Sequence, residues 1–214
     1  MTLLEENHDK IIKHLEENQP KEAFLLLKQV IEYPSKIEND DEWKTAFELF
    51  EDISLKLAGK DFAKIITNVH KHPDDIPFLF EVAGMLNDQR LTGIATTILK
   101  RAYDLDPDNP DTLSELIINL ELIMRNHEAC EIIKQKESLL ESEPVLRYLL
   151  AFNTLMTGDL TSPVELIKSI SNIEDINIKM MIGYLNGMLA RAGAIESIRP
   201  LTDKSLADWH CVLN

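Results

Sequence analysis

The sequence predicts an all-α protein built from antiparallel helix pairs, on three observations. Apolar residues recur at helical spacing along most of the chain. Prolines return at a fixed interval, Pro73 to Pro107 and Pro110 to Pro144 each spanning 34 residues. Small side chains stand where paired helices would have to cross closely. Composition agrees: only 7 of 214 residues are glycine and 44% are hydrophobic, too apolar for wholesale disorder.

The clearest stretch is Ile76 to Pro107. Phe78, Leu79, Val82, Ala83 and Leu86 form one apolar face, and Asn87, Asp88 and Gln89 interrupt it with a polar turn. Ile94, Ala95, Ile98, Leu99 and Ala102 form a second face, closed by Asp106-Pro107-Asp108-Asn109-Pro110, where two prolines forbid helix continuation. Two such helices cannot bury both faces alone, so the unit must recur and stack.

Counted from Ile76, large apolar residues fall at positions 4, 7, 11 and 24 (Leu79, Val82, Leu86, Leu99) and small ones at 8, 20 and 27 (Ala83, Ala95, Ala102), with proline at 32 (Pro107). This pattern resembles the tetratricopeptide repeat (TPR), a 34-residue helix–turn–helix unit, although the aromatic residues that family prefers at 4, 11 and 24 are absent. The resemblance implies a right-handed α-solenoid of antiparallel helix pairs, a TPR-like superhelix forming a single domain over residues 1–214. The repeats would span 4–39, 40–75, 76–109, 110–143, 144–178 and 179–201, with 202–214 a C-terminal helix or the start of further sequence.

The first unit pairs a helix through Leu4, Ile11, Ile12 and Leu15 with one through Ala23, Phe24, Leu27, Val30 and Ile31, broken at Asn18-Gln19-Pro20 and stopped near Pro34. The second has a long helix, Trp43 to Leu57, ended by Gly59, and a helix through Phe62, Ile65, Ile66 and Val69. Phe47 occupies its small-residue position, so its two helices are expected to stand further apart. In the unit from Pro110, Leu113, Leu116, Leu120, Ala129 and Ile133 keep the pattern, Ile117 and Lys136 depart from it, and the second helix is expected to run to about Glu141. From Pro144, Leu150 and Ala151 lead to a turn at Gly158-Asp159, and Ser162-Pro163-Val164-Glu165 reads as a capped helix start with a capping box. The last unit carries Ile182, Leu185 and Leu189, with Gly193 at its turn. In the tail, Leu206, Trp209, Val212 and Leu213 suit a capping helix or the middle of a longer chain.

Lys and Arg number 22 against 37 Asp and Glu, a formal net charge of −15. That repels phosphate backbones and anionic membrane surfaces, so neither nucleic acid nor membrane is the expected partner. No apolar run approaches a membrane span, and Met1–Lys10 has no secretory signal. Cys130 and Cys211 stand far apart, as in a reduced cytoplasmic protein.

Catalytic motifs are absent: no glycine-rich phosphate loop, nucleophile elbow or HExxH occurs. His127 precedes Cys130 by three residues but finds no further ligands, so no metal is expected. Asp104, Asp106, Asp108 and Glu115 match positions 1, 3, 5 and 12 of a calcium loop, yet Asn109 replaces its glycine, and an inter-repeat turn explains the run. Neither an enzyme nor a cofactor is expected.

In the family resembled, positions 2, 5, 9 and 12 face a concave groove. Carried over, these are Pro77, Phe80, Gly84 and Asn87; Asp111, Ser114, Ile118 and Glu121; and Val145, Tyr148, Phe152 and Leu155. Phe80, Gly84, Ser114 and Ile118 do not supply the Lys and Asn clamp with which some members hold a peptide carboxylate. Tyr148, Phe152 and Leu155 offer an apolar patch instead, to be set against packing on a neighbouring helix. The function expected is a non-enzymatic scaffold binding a basic or apolar peptide or protein segment. The alternatives are a helical-repeat fragment of a larger protein whose enzymatic or targeting part lies beyond residue 214, and a self-assembling homo-oligomer.

Overall fold

The structure, a computed structural model, describes residues 2–33, 37, 39–57, 66, 69–172 and 174–193. Eleven α-helices and no strand occur among them. Contacts divide the chain into two compact units, Met1–Thr112 and Leu113–Asn214.

The first unit holds α1 (Leu3–Glu16), α2 (Pro20–Ile31), α3 (Asp40–Leu57), a 3-10 turn (Val69–Lys71), α4 (Ile76–Asp88) and α5 (Thr92–Leu105). Thr2 and Glu5 open α1 with a capping box, the Glu5 backbone N–H donating to Thr2 Oγ1 at 3.2 Å and the Thr2 N–H to Glu5 Oε2 at 2.8 Å. α1 packs on α2, α2 on α3, and α4 on α5. Ala83, Ala95 and Ala102 are all buried, as the small-residue pattern requires. Phe47 is fully buried, its ring centroid 4.5 Å from that of Trp43 and 6.2 Å from that of Phe50. Of the helix expected through Phe62, Ile65, Ile66 and Val69, only buried Ile66 and Val69 are described; Pro34, Gly59, Phe62, Ile65 and the tail residues Leu206, Trp209, Val212 and Leu213 lie outside the described residues.

One contact departs from a stack in which each pair touches only the next. α2, the second helix of the first pair, lies directly against α5. Thr97 Oγ1 donates to the Ile31 carbonyl at 2.5 Å, and a Cβ on Gly93 would stand 2.8 Å from Glu32 Cγ and 3.0 Å from its Cβ. Glycine at 93 therefore sets how closely α5 approaches the end of α2. The polar break expected at 87–89 falls slightly later: α4 continues through Asp88 and the chain turns at Gln89-Arg90-Leu91.

The boundary between units falls within α6 (Pro110–Leu122). The second unit continues with α7 (Asn126–Lys134), α8 (Glu137–Ser142), α9 (Pro144–Met156), α10 (Ser162–Ile170) and α11 (Ile176–Arg191). α9 is its hub and packs on α7, α8, α10 and α11. Ala151, Leu155, Val164, Ile167, Ile170, Ile178, Ile182, Leu185 and Leu189 make one core.

Two local expectations are corrected here. The helix expected to reach Glu141 is broken at Gln135-Lys136 into α7 and α8. Lys136 leaves helical geometry at φ −114°, ψ 56°. Ser162 does not form a capping box either. The N-cap position of α10 is Thr161, whose side chain makes no capping bond; Asp159, two residues earlier, accepts from the N–H groups of Thr161 (2.8 Å) and Ser162 (3.1 Å) and from the Ser162 hydroxyl (2.6 Å), while Glu165 pairs with Lys168. Those bonds, the Ser162 hydroxyl's first, hold the Asp159 carboxyl below the usual carboxylate range.

A repeated helix ending gives the chain its period. Asn18 (φ 57°), Arg90 (61°), Met124 (62°), Gly158 (94°) and Gly193 (91°) are left-handed and follow α1, α4, α6, α9 and α11. Arg90, Met124 and Gly158 are 34 residues apart and Gly193 follows at 35. Each donates its N–H to the carbonyl three residues back, as Met124 does to Glu121 at 2.9 Å. After the first four, the next N–H reaches five back: Gln19 to His14, Leu91 to Leu86, Arg125 to Leu120 and Asp159 to Thr154, at 2.7 to 3.2 Å. These two bonds are the Schellman pattern, which satisfies carbonyls a helix end leaves open. Met124 is 72% exposed, so its side chain packs little there. Met124→Gly is expected to stabilise the chain by about 0.5–1 kcal/mol, because only glycine adopts this backbone without strain. Gly158→Ala is expected to cost about 1 kcal/mol by the same reasoning, both read by chemical denaturation.

Candidate functional site

The predicted groove residues fall into three situations. On α4, Pro77 and Gly84 are exposed and Phe80 and Asn87 half-buried, with nothing within 4 Å of where a Gly84 Cβ would lie. On α6, Asp111 is exposed beside the capping Asn109, Ser114 is half-buried, Ile118 is 38% exposed and Glu121 is half-buried. On α9, Val145, Tyr148 and Phe152 pack partly buried against the core, while Leu155 is 8% exposed and belongs to the core itself. The Tyr148 and Phe152 rings stack, centroids 6.4 Å apart at 27°.

In the second unit, the first helices of three successive pairs bring Glu121 (α6), Tyr148 and Asn153 (α9) and Tyr184 (α11) together. Asn153 is fully buried; its Nδ2 donates to Glu121 Oε1 at 2.5 Å and to the Leu149 carbonyl at 2.8 Å. Its Oδ1 is buried without a hydrogen-bond partner. Burial pushes the Glu121 carboxyl up to about 7, against the opposing pull of the Asn153 hydrogen bond. The Tyr148 phenol is pushed up to about 12, by burial first and then by Glu121 and Tyr184. No cation pairs with Glu121 among the described residues. Asn153 and Tyr184 were not picked out from the sequence. A signal existed for the first: Asn119, also buried and bonded to a carbonyl four residues back, precedes it by 34 positions.

Glu121 carries a testable sign. Its folded value lies above the ordinary carboxyl value of about 4.5, so the stability that burial favours is complete below about that pH and is lost as pH rises through about 7. Glu121→Gln is therefore expected to leave stability unchanged near pH 4 and to raise it by about 1–2 kcal/mol near pH 8, a figure discounted for the group's partial exposure. Urea denaturation at the two pH values reads the difference.

Elsewhere the polar clusters account for themselves. Arg101 on α5 donates to Asp40 and Asp74 at 2.5 Å each and to the Pro73 carbonyl at 3.1 Å, and lies over the Trp43 ring at 5.9 Å. It borders a cavity of about 140 Å³ whose Lys100 is paired with Asp104. Burial pulls the Arg101 guanidinium down, but Asp74 and Asp40 outweigh it and the net direction is up. His70 lies between Glu51 (3.4 Å) and Glu48 (3.9 Å). Cys130 Sγ is buried 3.6 Å from Thr154 Oγ1. In the calcium-like run, Asn109 is the cap of α6, accepting from the N–H groups of Asp111 and Thr112 and donating to Asp106. Among the described residues there is no metal-holding group of three His, Cys, Asp or Glu, and no helix long and apolar enough to cross a membrane.

No protein-family model matches the chain, and no curated protein matches it. Fold and site together define an all-helical protein of paired helices with a half-buried acidic and aromatic cluster on the first helices of its second unit.

Proposed function

We propose that the chain is a non-enzymatic, cytoplasmic interaction scaffold whose helix pairs stack as a TPR-like right-handed α-solenoid and bind a peptide or protein segment along their first helices. The observation that carries this reading is Glu121, a desolvated carboxyl with no cation among the described residues, close to Tyr148, whose ring stacks on Phe152. An acid kept from water with no counter-charge costs stability, and a partner that supplies the charge offsets that cost. Three further features support it: the 34-residue period of helix endings, the net charge of −15, and Ile118 (38%), Met180 (43%) and Tyr184 (58%) exposed on α6 and α11. The α2–α5 contact makes the first unit less regular, so the second carries the binding role.

The test is selection of random displayed peptides on the full chain. Enriched sequences are expected to combine basic and apolar residues. Tyr148→Ala with Phe152→Ala is expected to weaken their binding at least tenfold while far-UV helicity persists. Loss of helicity in that double variant would assign the rings to the core alone. Recovery of no peptide from a chain that only dimerises would favour self-assembly.

A further inference from the structure

We propose that Glu121, Asn153, Tyr148 and Tyr184 form a subsite for one arginine side chain of the bound segment. This rests on the scaffold reading and names the chemistry its second unit selects. Glu121 uses one carboxylate oxygen on Asn153 Nδ2, and no described residue occupies the other. The Asn153 Oδ1, in the same amide, is a buried acceptor with no donor. Tyr148 stands close to Glu121; its ring stacks on Phe152, both half-buried, and Tyr184, 58% exposed, lies near Tyr148 on α11.

The matching guest has several N–H donors, a positive charge, a flat face and an apolar stem. Guanidinium meets all four, since its planar fork suits a carboxylate and its face stacks on aromatic rings. An ammonium matches the charge but not the fork or the stacking. A neutral guest would leave the ionised carboxyl without a counter-charge. Among the described residues, the titratable group close to Glu121 is the Tyr148 phenol, which burial and Glu121 itself push up to about 12, with Tyr184 near Tyr148 in turn; α7 and α10 place no described ion-pair partner on Glu121. Guest binding therefore requires Glu121 to be ionised. The carboxyl sheds its proton as the cation arrives, and affinity rises with pH between about 6 and 8.

The test follows the Glu121 side-chain carboxyl carbon by NMR through a pH titration of the full chain, alone and with arginine amide as probe. Alone, the carboxyl is expected to titrate near 7. With saturating arginine amide its midpoint is expected to fall by a unit or more, with shifts in the Tyr148 and Tyr184 ring signals. Affinity is expected to drop several-fold from pH 8 to pH 6, and Glu121→Gln to abolish both the ring shifts and the pH dependence. Glu121→Asp keeps the charge and, by shortening the reach, is expected to weaken binding without removing its pH dependence. An unmoved midpoint, ring shifts that survive Glu121→Gln, or an equal response to lysine amide would overturn the arginine assignment. None of those results bears on whether displayed peptides are captured at all, so the subsite and the scaffold reading fail separately.

Discussion

Ala95→Leu is expected to lower stability by about 3 kcal/mol, the scale of overpacking at a closed site. Ala95 is fully buried in α5, the helix packed against both α4 and α2. Three added carbons have nowhere to go unless the helices separate, and separation also strains the approach of Gly93 to Glu32. In a chain of this length that loss corresponds to roughly 6–12 °C in Tm. The matching change at exposed Glu81 of α4, Glu81→Leu, is expected to stay within about 0.5 kcal/mol. Thermal and urea unfolding of the two variants give the comparison. Near-equal effects would mean that the alanine pattern does not mark close helix approach.

Arg101→Ala is expected to cost about 2–3 kcal/mol. Asp40 and Asp74 are 67% and 69% exposed, so each ion pair alone contributes only a fraction of that. The Arg101 side chain itself is 17% exposed and joins two segments at once: the start of α3, through Asp40 and the Trp43 ring, and the loop before α4, through Pro73 and Asp74. Ordering one side chain serves every contact, which makes the cluster worth more than separate surface pairs. Arg101→Lys keeps the charge but loses the fork and the stacking, so it is expected to recover less than half of the loss. Raising salt to 1 M should shrink the wild-type advantage only in part, because the Pro73 bond and the Trp43 contact are not ionic.

Much of the fold was legible in the chain. Period-3.6 apolar faces located α1, α2, α3, α4, α5, α9 and α11, and the alanines at 83, 95 and 102 marked buried positions correctly. What escaped was set by atoms far apart in sequence or by backbone states that residue type does not announce. Arg90 and Met124 end their helices in a left-handed conformation that glycine usually signals. Asp159 takes up the Ser162 hydroxyl and the N–H groups at the start of α10, because its carboxylate accepts three donors at once. Gln135-Lys136 carries no proline or glycine to warn of a break. Of the proposed site, Glu121 and Tyr148 were singled out in the sequence by the resemblance alone. That Glu121 is desolvated was not legible there, since its burial depends on Asn153, 32 residues away. Leu155 was read as groove from the same register, yet it faces the α10 and α11 side and fills the core.

The most direct measurement is a hydrogen-exchange footprint of the full chain with and without a display-selected peptide. A face formed by α6, α9 and α11 predicts slowed exchange in 114–124 and 145–157 and around Tyr184, with little change in α1 to α3. Slowed exchange confined to the first unit, or none in the presence of a bound peptide, would contradict it.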